Sequence, residues 1–200
     1  MSLTAAPLNI APLAGEALAA ALPALAELRI EVFRAFPYLY DGDPDYERRY
    51  LSAYAASPGA IVVGAFDGDR LIGAATAAPM EDHAAEFARP FAERGQRLEE
   101  IFYLGESVLL REYRGRGLGH DFFDQREVHG RALGRRLACF CAVIRPEDHP
   151  LRPVDYRPLD PFWERRGYRR VEGLTATFPW KDLGDTLATE KPMQFWMREL

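Results

Sequence analysis

The sequence predicts one domain of mixed α/β or α+β class. Helix-forming segments come first, an apolar hairpin follows, and the second half alternates strand, helix, strand, helix and strand. The 200 residues suffice for one hydrophobic core, and the content of 48% hydrophobic and 28% charged residues is typical of globular proteins. We therefore expect residues 1–200 to form a single domain that folds without metal or disulfide support.

Composition and charge exclude several classes of partner. A net charge of −5 disfavours non-specific binding to nucleic acid or to an anionic membrane. No run of 18 apolar residues, as a membrane-spanning helix needs, occurs in the sequence. Cys139 and Cys141 alternate along one apolar run, which predicts two buried thiols on one strand face. We expect no metal, no nucleic-acid or membrane partner, and a cytoplasmic location.

The first segments predict a strand and two helical pieces. Leu8–Leu13 is short and apolar, as a strand requires. Ala14–Phe36 is rich in Ala, Leu and Glu, and Pro23 should divide its helix in two. Pro37–Pro44 combines Tyr, Asp, Gly and Pro, a composition typical of turns.

A further helix and a hairpin are predicted next. Asp45–Ala56 carries three tyrosines at four-residue spacing, which places them on one helical face, and Ser57-Pro58-Gly59 ends the helix. The apolar runs Ala60–Phe66 and Leu71–Ala77 flank an Asp67-Gly68 pair. Asp-Gly between two such runs indicates a β-hairpin.

The rest of the chain predicts alternating strands and helices around a proline-rich loop. Apolar runs indicate the strands, and a glycine past the last short helix is a typical stop signal. The predicted elements are a polar, helix-compatible stretch over Glu81–Glu100, strands at Ile101–Leu110 and Leu137–Ile144, a helix at Gly117–Leu133, the loop Arg145–Asp160, a short helix at Pro161–Arg166, and closing strands at Thr175–Trp180 and Gln194–Arg198.

The segment Tyr113–His120 has the composition of a phosphate-binding turn. It follows a strand and opens a helix, where unpaired N–H groups and the positive end of the helix dipole attract an anion. It lacks the Gly-Lys-Ser/Thr ending of a Walker loop. It also lacks the third glycine of a dinucleotide fingerprint, because the sixth position is His120 or Phe122. The alternative is a tight strand–helix turn with incidental arginines.

Here the sequence resembles the GNAT acetyltransferases. Arg114-x-x-Gly117-x-Gly119 matches their Gln/Arg-x-x-Gly-x-Gly/Ala signature, after a strand Glu106–Leu110 that corresponds to their cofactor-binding strand. Phe162–Tyr168 is similar to their second motif. The architectural resemblance covers about residues 60–180. It implies the GNAT fold: a mixed, mostly antiparallel central sheet of six or seven strands with a splayed parallel pair, flanked by helices.

The resemblance also implies an activity. Such a protein would transfer an acetyl group from acetyl-CoA, as cosubstrate, to a primary amine of a small molecule by direct attack in a ternary complex, as a monomer or homodimer. The cofactor would lie between the strands 101–110 and 137–144. The residues that the resemblance assigns to cofactor binding are Val108, Leu109, Leu110, Arg114, Gly115, Arg116, Gly117, Leu118, Gly119, His120 and Trp163.

Glu106 is the candidate general base. On a regular strand it would share a face with Phe102 and Leu104, and apolar neighbours would raise the pKa of its carboxyl group. The alternative is an edge or bulge glutamate in contact with solvent. Glu99 and Glu100, at the start of the strand, could act through water instead.

The general acid is less clearly indicated. Trp163 stands where many relatives have a proton-donating Tyr, and an indole cannot serve that role. Tyr156, seven residues earlier, is the candidate acid, with solvent as the alternative. The same departure leaves open an acyl-CoA-binding module without turnover, and a structural or protein-interaction domain is a third hypothesis.

The acceptor site is expected near the connection of the first two helices, where acidic and aromatic residues would suit a cationic amine. The alternative is a solvated turn beside a helix packed by its tyrosines. The residues concerned are Tyr38, Tyr40, Asp41, Asp43, Asp45, Tyr46 and Tyr50.

Overall fold

A seven-stranded sheet organises the part of the chain that the structure, a computed structural model, describes, namely residues 8–83 and 85–200. Its elements are β1 (Asn9–Leu13), α1 (Gly15–Phe33), α2 (Pro44–Ala56), β2 (Ile61–Asp67), β3 (Arg70–Pro79), α3 (Ala85–Ala92), β4 (Ile101–Leu109), α4 (Leu118–Ala132), β5 (Leu137–Val143), α5 (Asp160–Arg165), β6 (Arg169–Trp180) and β7 (Thr189–Glu199). Short 3₁₀ turns occupy Met80–Asp82, Leu98–Glu100 and Arg111–Tyr113.

The strand order is β1-β2-β3-β4-β5-β7-β6, and β4 and β5 form the parallel pair within it. They pair only from Ile101 with Leu137 to Tyr103 with Cys139, after which they separate. On its other side, β5 pairs with β7 along the whole length of β5. The expected mostly antiparallel sheet with one splayed parallel pair is therefore confirmed.

A β-bulge interrupts β4 just beyond the point where β5 leaves it. Ala77 pairs with Leu104 and Ala75 with Ser107, so two residues of β4, Gly105 and Glu106, stand opposite Thr76 alone. A Cβ atom at Gly105 would clash with the hydroxyl groups of Tyr54 and Thr76, so the close approach of α2 requires glycine there. Because a bulge re-aims the side chains that follow it, Glu106 leaves the face that a regular strand would give it.

Side chains of β4 alternate between two cores. Tyr103 packs in the core that includes Phe91 of α3, whereas Phe102 and Leu104 pack with Phe123 of α4. Tyr54 of α2 packs edge-on against His83, and His83 packs edge-on against Tyr103, so α2 lies on the α3 face of the sheet. The two cysteines are free thiols buried in the core with Tyr103, as predicted.

Several predicted boundaries are wrong, among them that of β7, which begins five residues before the predicted Gln194. Pro23 does not divide the first helix, because it lies on the exposed side and the next turn buries Leu25 and Leu28. The stretch 81–100 forms only the short helix α3, since Phe87 and Phe91 are the residues through which it packs on the sheet. β6 begins six residues early, before a long irregularity between Arg170 and Thr175. Among the described residues, no helix is both long and apolar enough to cross a bilayer.

Candidate functional site

The glycine turn between β4 and α4 has an open backbone at the start of the helix. Gly115 and Gly117 have φ angles of +79° and +89°, a conformation that only glycine adopts easily. A Cβ atom built on either one would meet nothing within 4 Å. The turn thus bends its backbone around space that protein atoms do not fill.

Main-chain N–H groups are available at this turn. The first N–H groups of a helix have no intrahelical partner, and no side chain caps the start of α4. The amide of His120 is an exception, because it donates to the carbonyl of Gly117 at 2.8 Å. The His120 ring lies instead against Phe162, with Nδ1 3.1 Å from Arg166. Leu118 and Gly119 therefore supply the first-turn amides that an anion could reach.

Positive charge surrounds the same turn. Arg114 donates to the carbonyl of Leu109 at 3.2 Å, and Arg116 donates to the carbonyl of Glu112 at 3.1 Å. Within the described residues neither forms an ion pair with a carboxylate, and Arg111 reaches Asp155 only at 3.7 Å. Partial burial, together with the charge of Arg111, lowers the pKa of Arg114. These guanidinium groups give the turn an excess of positive charge in an acidic protein.

The free edge of β4 lies beside this turn. Leu110 donates its amide to the carbonyl of Ile72 at 3.0 Å, so that amide belongs to the sheet. Because successive residues of a strand direct their main-chain groups to opposite sides, Leu109 and Ser107 turn theirs towards the gap that β5 leaves. Of the three residues predicted to bind a pantetheine arm, Leu109 is the one whose main chain faces the gap, while Val108 and Leu110 are buried.

Trp163 lies at the base of the second motif. The centroid of its ring lies 5.0 Å from that of Phe140 and 5.2 Å from that of Trp196, so the indole belongs partly to the core. A Cβ atom on Gly119 would be 3.6 Å from Phe162, which shows that α5 packs against the first turn of α4. The two sequence motifs therefore meet in space.

Glu106 is buried, and the expectation that it shares a face with Phe102 and Leu104 is wrong. The bulge turns its side chain towards α1 and α2, so its neighbours are polar. Oε2 accepts a hydrogen bond from Tyr50 at 2.8 Å, and Oε1 lies 2.7 Å from Nη1 of Arg29. No donor among residues 8–83 and 85–200 is aligned as a hydrogen bond to Oε1.

The other candidate bases lie at the opposite end of β4, where Glu99 is exposed and Glu100 is partly buried. Glu99 accepts from Arg97 at 2.8 Å, and Glu100 pairs with Arg97 at 3.2 Å. The hydrogen bonds to Glu99, from its own backbone and from Arg97, lower its pKa. These contacts are those of surface ion pairs.

Tyr156, the candidate acid, is half-buried on the loop between β5 and α5. Its ring packs edge-on against Phe36 with the centroids 4.7 Å apart. Burial, with a contribution from Asp160, raises its pKa. Its neighbour Asp155 is the residue that reaches Arg111, so this loop extends from the α1–α2 connection to the glycine turn.

The three aspartates of the expected acceptor region have local partners. Asp41 pairs with Lys181 at 2.5 Å, and Asp45 pairs with Arg48. Asp43 caps α2 by accepting from the amides of Asp45 and Tyr46. Of the residues named for this region, Tyr50 is the one that contacts Glu106.

Comparison with known proteins identifies the architecture. No protein-family model matches the sequence, and no curated protein does. Solved structures match at full length: a GNAT-family acetyltransferase from Streptococcus pneumoniae has 14% identity and a TM-score of 0.60 over 97% of this chain and 100% of its own. The chain has the GNAT fold.

Two further structures have this fold. The ribosomal-protein-alanine N-acetyltransferase of Brucella melitensis has 15% identity and a TM-score of 0.61 over 98% of this chain and 100% of its own. NAA60 of Arabidopsis thaliana, solved in complex with acetyl-CoA, has 12% identity and a TM-score of 0.62 over 97% and 99% of the two chains.

Within this GNAT fold, sequence reasoning missed Arg29 and Glu47. Nε of Arg29 contacts Oε2 of Glu47, and the guanidinium lies 4.3 Å from the ring centre of Tyr50. Burial is the main cause that raises the pKa of Glu47. A signal was present in each helix: Arg29 follows Leu28 on the apolar stripe of α1, and Glu47 precedes Tyr50 by three residues on the tyrosine face of α2.

Proposed function

We propose that this chain is an N-acetyltransferase that transfers an acetyl group from acetyl-CoA to the primary amine of a small molecule, within a ternary complex. The observation that carries the proposal is the pair of positive-φ glycines, Gly115 and Gly117, bent around open space where α4 begins. Backbone amides and a helix N-terminus of this kind bind phosphates. A solved structure with the same fold contains acetyl-CoA, which supports this cosubstrate.

The residues around the gap fit acetyl-CoA. A diphosphate needs N–H donors and positive charge, which the amides of Leu118 and Gly119 and the guanidinium groups of Arg114 and Arg116 would supply. A pantetheine arm needs main-chain partners, which Leu109 offers at the free edge of β4. Trp163 of α5 would form one wall of the gap between β4 and β5. Bound acetyl-CoA supplies the activated acetyl group as a thioester.

Glu106 is the proposed general base. An alkylamine is protonated at neutral pH and must lose a proton before it can attack a carbonyl carbon. Oε1 of Glu106 is buried, lies 2.7 Å from Nη1 of Arg29 and has no aligned donor among the described residues, so we assign it the role of accepting that proton. A main-chain N–H at the free edge of β4 would stabilise the developing oxyanion. Tyr156 or water would return a proton to the leaving thiolate.

A small amine is favoured over a peptide by the walls of the site. Arg145 donates to the carbonyls of Pro37 and Tyr38, both at 2.8 Å, and Tyr156 packs on Phe36. These contacts tie the α1–α2 connection to the β5–α5 loop, and we propose that this joined wall favours a small acceptor. Solved structures of the same fold include a ribosomal-protein-alanine N-acetyltransferase, so peptide amines belong in the test.

The test begins with thermal unfolding in the presence of acetyl-CoA. Saturation at a hundredfold excess over Kd stabilises a protein by about 2.7 kcal/mol, which raises Tm measurably. Release of free CoA is then followed with a panel of small amines and of peptides with free N-termini. Turnover with small amines supports the proposal. Turnover with peptides alone would show that the acceptor is a peptide amine and not a small molecule. Binding without turnover indicates an acyl-CoA-binding module, and no rise in Tm contradicts the cosubstrate.

A further inference from the structure

Three charged side chains are buried together between α1, α2 and β4. Arg29 and Glu106 are each 6% exposed, and Glu47 is fully buried. Arg29 contacts both carboxylates, through Nε to Glu47 and through Nη1 to Glu106. One guanidinium therefore serves two carboxylates, and with both ionised the cluster has a net charge of −1. Buried charge is costly unless it is paired, and the neighbouring buried cation is Arg126 of α4, which donates to the main-chain carbonyl of Glu106 at 3.0 Å.

The contacts fix the orientation of Glu106. Tyr50 donates to Oε2 at 2.8 Å, while its ring covers the guanidinium of Arg29 at 4.3 Å. Arg29 is itself held by Glu47 from the other side. Burial alone would lower the pKa of Arg29, and the two carboxylates together with Tyr50 raise it well above its ordinary value. Arg29 therefore stays a cation between the two carboxylates.

We infer that Arg29, anchored by Glu47, is a positioning residue that orients the Glu106 carboxylate for proton removal from the acceptor amine, an inference that rests on the function proposed above. The N–H bond of the ammonium breaks, an O–H bond forms at Oε1 of Glu106, and the electron pair stays on nitrogen. During this step the cluster passes from a charge of −1 to zero while the amine passes from +1 to zero. Glu47 makes this possible, because without its charge Arg29 would already neutralise Glu106.

Other groups around Glu106 do not replace Glu47. Burial lowers the pKa of His83 to about 4, so its ring is neutral in the working range. Burial raises the pKa values of the neighbouring tyrosines, which stay protonated. The titratable and charged groups that face Glu106 are Arg29 from α1, Tyr38 from the α1–α2 connection, Glu47, Tyr50 and Tyr54 from α2, His83 before α3 and Arg126 from α4.

The experiment compares Glu47→Gln with Glu31→Gln, a matched change of an exposed glutamate on α1. We expect Glu47→Gln to bind acetyl-CoA as the wild type does, because Glu47 is remote from the glycine turn in the sequence and lies on another element. Its kcat should fall on the order of tenfold, a fraction of the 10²- to 10⁴-fold that a positioned base contributes. The acid limb of the pH–rate profile should move to lower pH, because a like charge beside the proposed base is removed. Glu31→Gln should match the wild type in both respects.

A second variant, Arg29→Lys, keeps the cation and removes the planar fork that spans the two carboxylates. It should lower kcat without changing the acetyl-CoA Kd. The inference is overturned if a folded Glu47→Gln protein has a wild-type pH–rate profile, or if neither variant folds, since the cluster then serves stability alone. Failure of the wild-type protein to turn over any amine counts against the proposed function instead, so the two failures are distinguishable.

Discussion

The hydroxyl of Tyr50 donates to Oε2 of Glu106 at 2.8 Å, and this hydrogen bond joins the tyrosine face of α2 to the bulge of β4. The same hydroxyl lies 2.9 Å from that of Tyr54. The acceptor side of the proposed site and its base are therefore one connected structure. A substitution in α2 that breaks this hydrogen bond should therefore lower kcat without changing acetyl-CoA binding at the glycine turn.

Tyr50→Phe tests that connection. The variant keeps the ring over Arg29 and removes the donor to Glu106, so the free energy of unfolding should fall by about 1 to 3 kcal/mol. We expect kcat to decrease several-fold and the acetyl-CoA Kd to stay unchanged. Urea unfolding, calorimetric titration with acetyl-CoA and steady-state kinetics provide the three readouts. An unchanged kcat in a folded variant would separate Tyr50 from the reaction.

Glu106→Gln tests the base. The amide keeps the shape of the side chain and cannot take the proton, so kcat should fall on the order of 10²-fold or more, while acetyl-CoA binds nearly as before. The acid limb of the pH–rate profile should disappear. Glu99→Gln is the control, because Glu99 is exposed and paired with Arg97 at the other end of β4. If Glu99→Gln lowers kcat and Glu106→Gln does not, the base is Glu99, acting through water from the start of β4, and Glu106 is not involved.

Gly117→Glu tests the phosphate turn. The φ angle of +89° disfavours any side chain, and a carboxylate there would point charge of the wrong sign into the anion site. We expect the acetyl-CoA Kd to rise by at least about 100-fold, or 2.7 kcal/mol. Gly68→Glu is a matched control, since Gly68 has a φ angle of +58° and no atom within 4 Å of a built Cβ atom, but lies in the β2–β3 turn. Equal affinity in the two folded variants would rule out the turn as the phosphate site.

The sequence was most informative where the structure is local. The glycine turn, the hairpin at Asp67-Gly68 and the strand before the turn were all predicted from neighbouring residues, and the structure contains each. The mostly antiparallel sheet and its splayed parallel pair came from the family resemblance, because pairing between distant strands leaves little trace in a single sequence.

The surroundings of Glu106 were missed for the opposite reason. They depend on one extra residue in β4, which reverses the face of every side chain after it, and period-two reasoning assumes that no such residue exists. The pairing of Arg29 with Glu106 then joins residues 77 positions apart in the chain. Glycine at position 105, inside an apolar strand, was the available sign of a bulge.

His83 makes stability depend on pH. Its ring packs between Tyr54 and Tyr103, and burial lowers its pKa to about 4, below the value of about 6.5 that it has in the unfolded chain. As the pH falls below about 6.5, the unfolded chain takes up a proton that the native state does not, so stability decreases. At pH 5 the loss should approach about 2 kcal/mol, since each pKa unit corresponds to about 1.4 kcal/mol. Urea unfolding at pH 7.5 and pH 5.0 measures it. In His83→Gln, which has no proton to gain at this position, the difference between the two pH values should shrink by that amount. A variant that retains the full difference would assign the acid sensitivity to other groups and remove His83 as its cause.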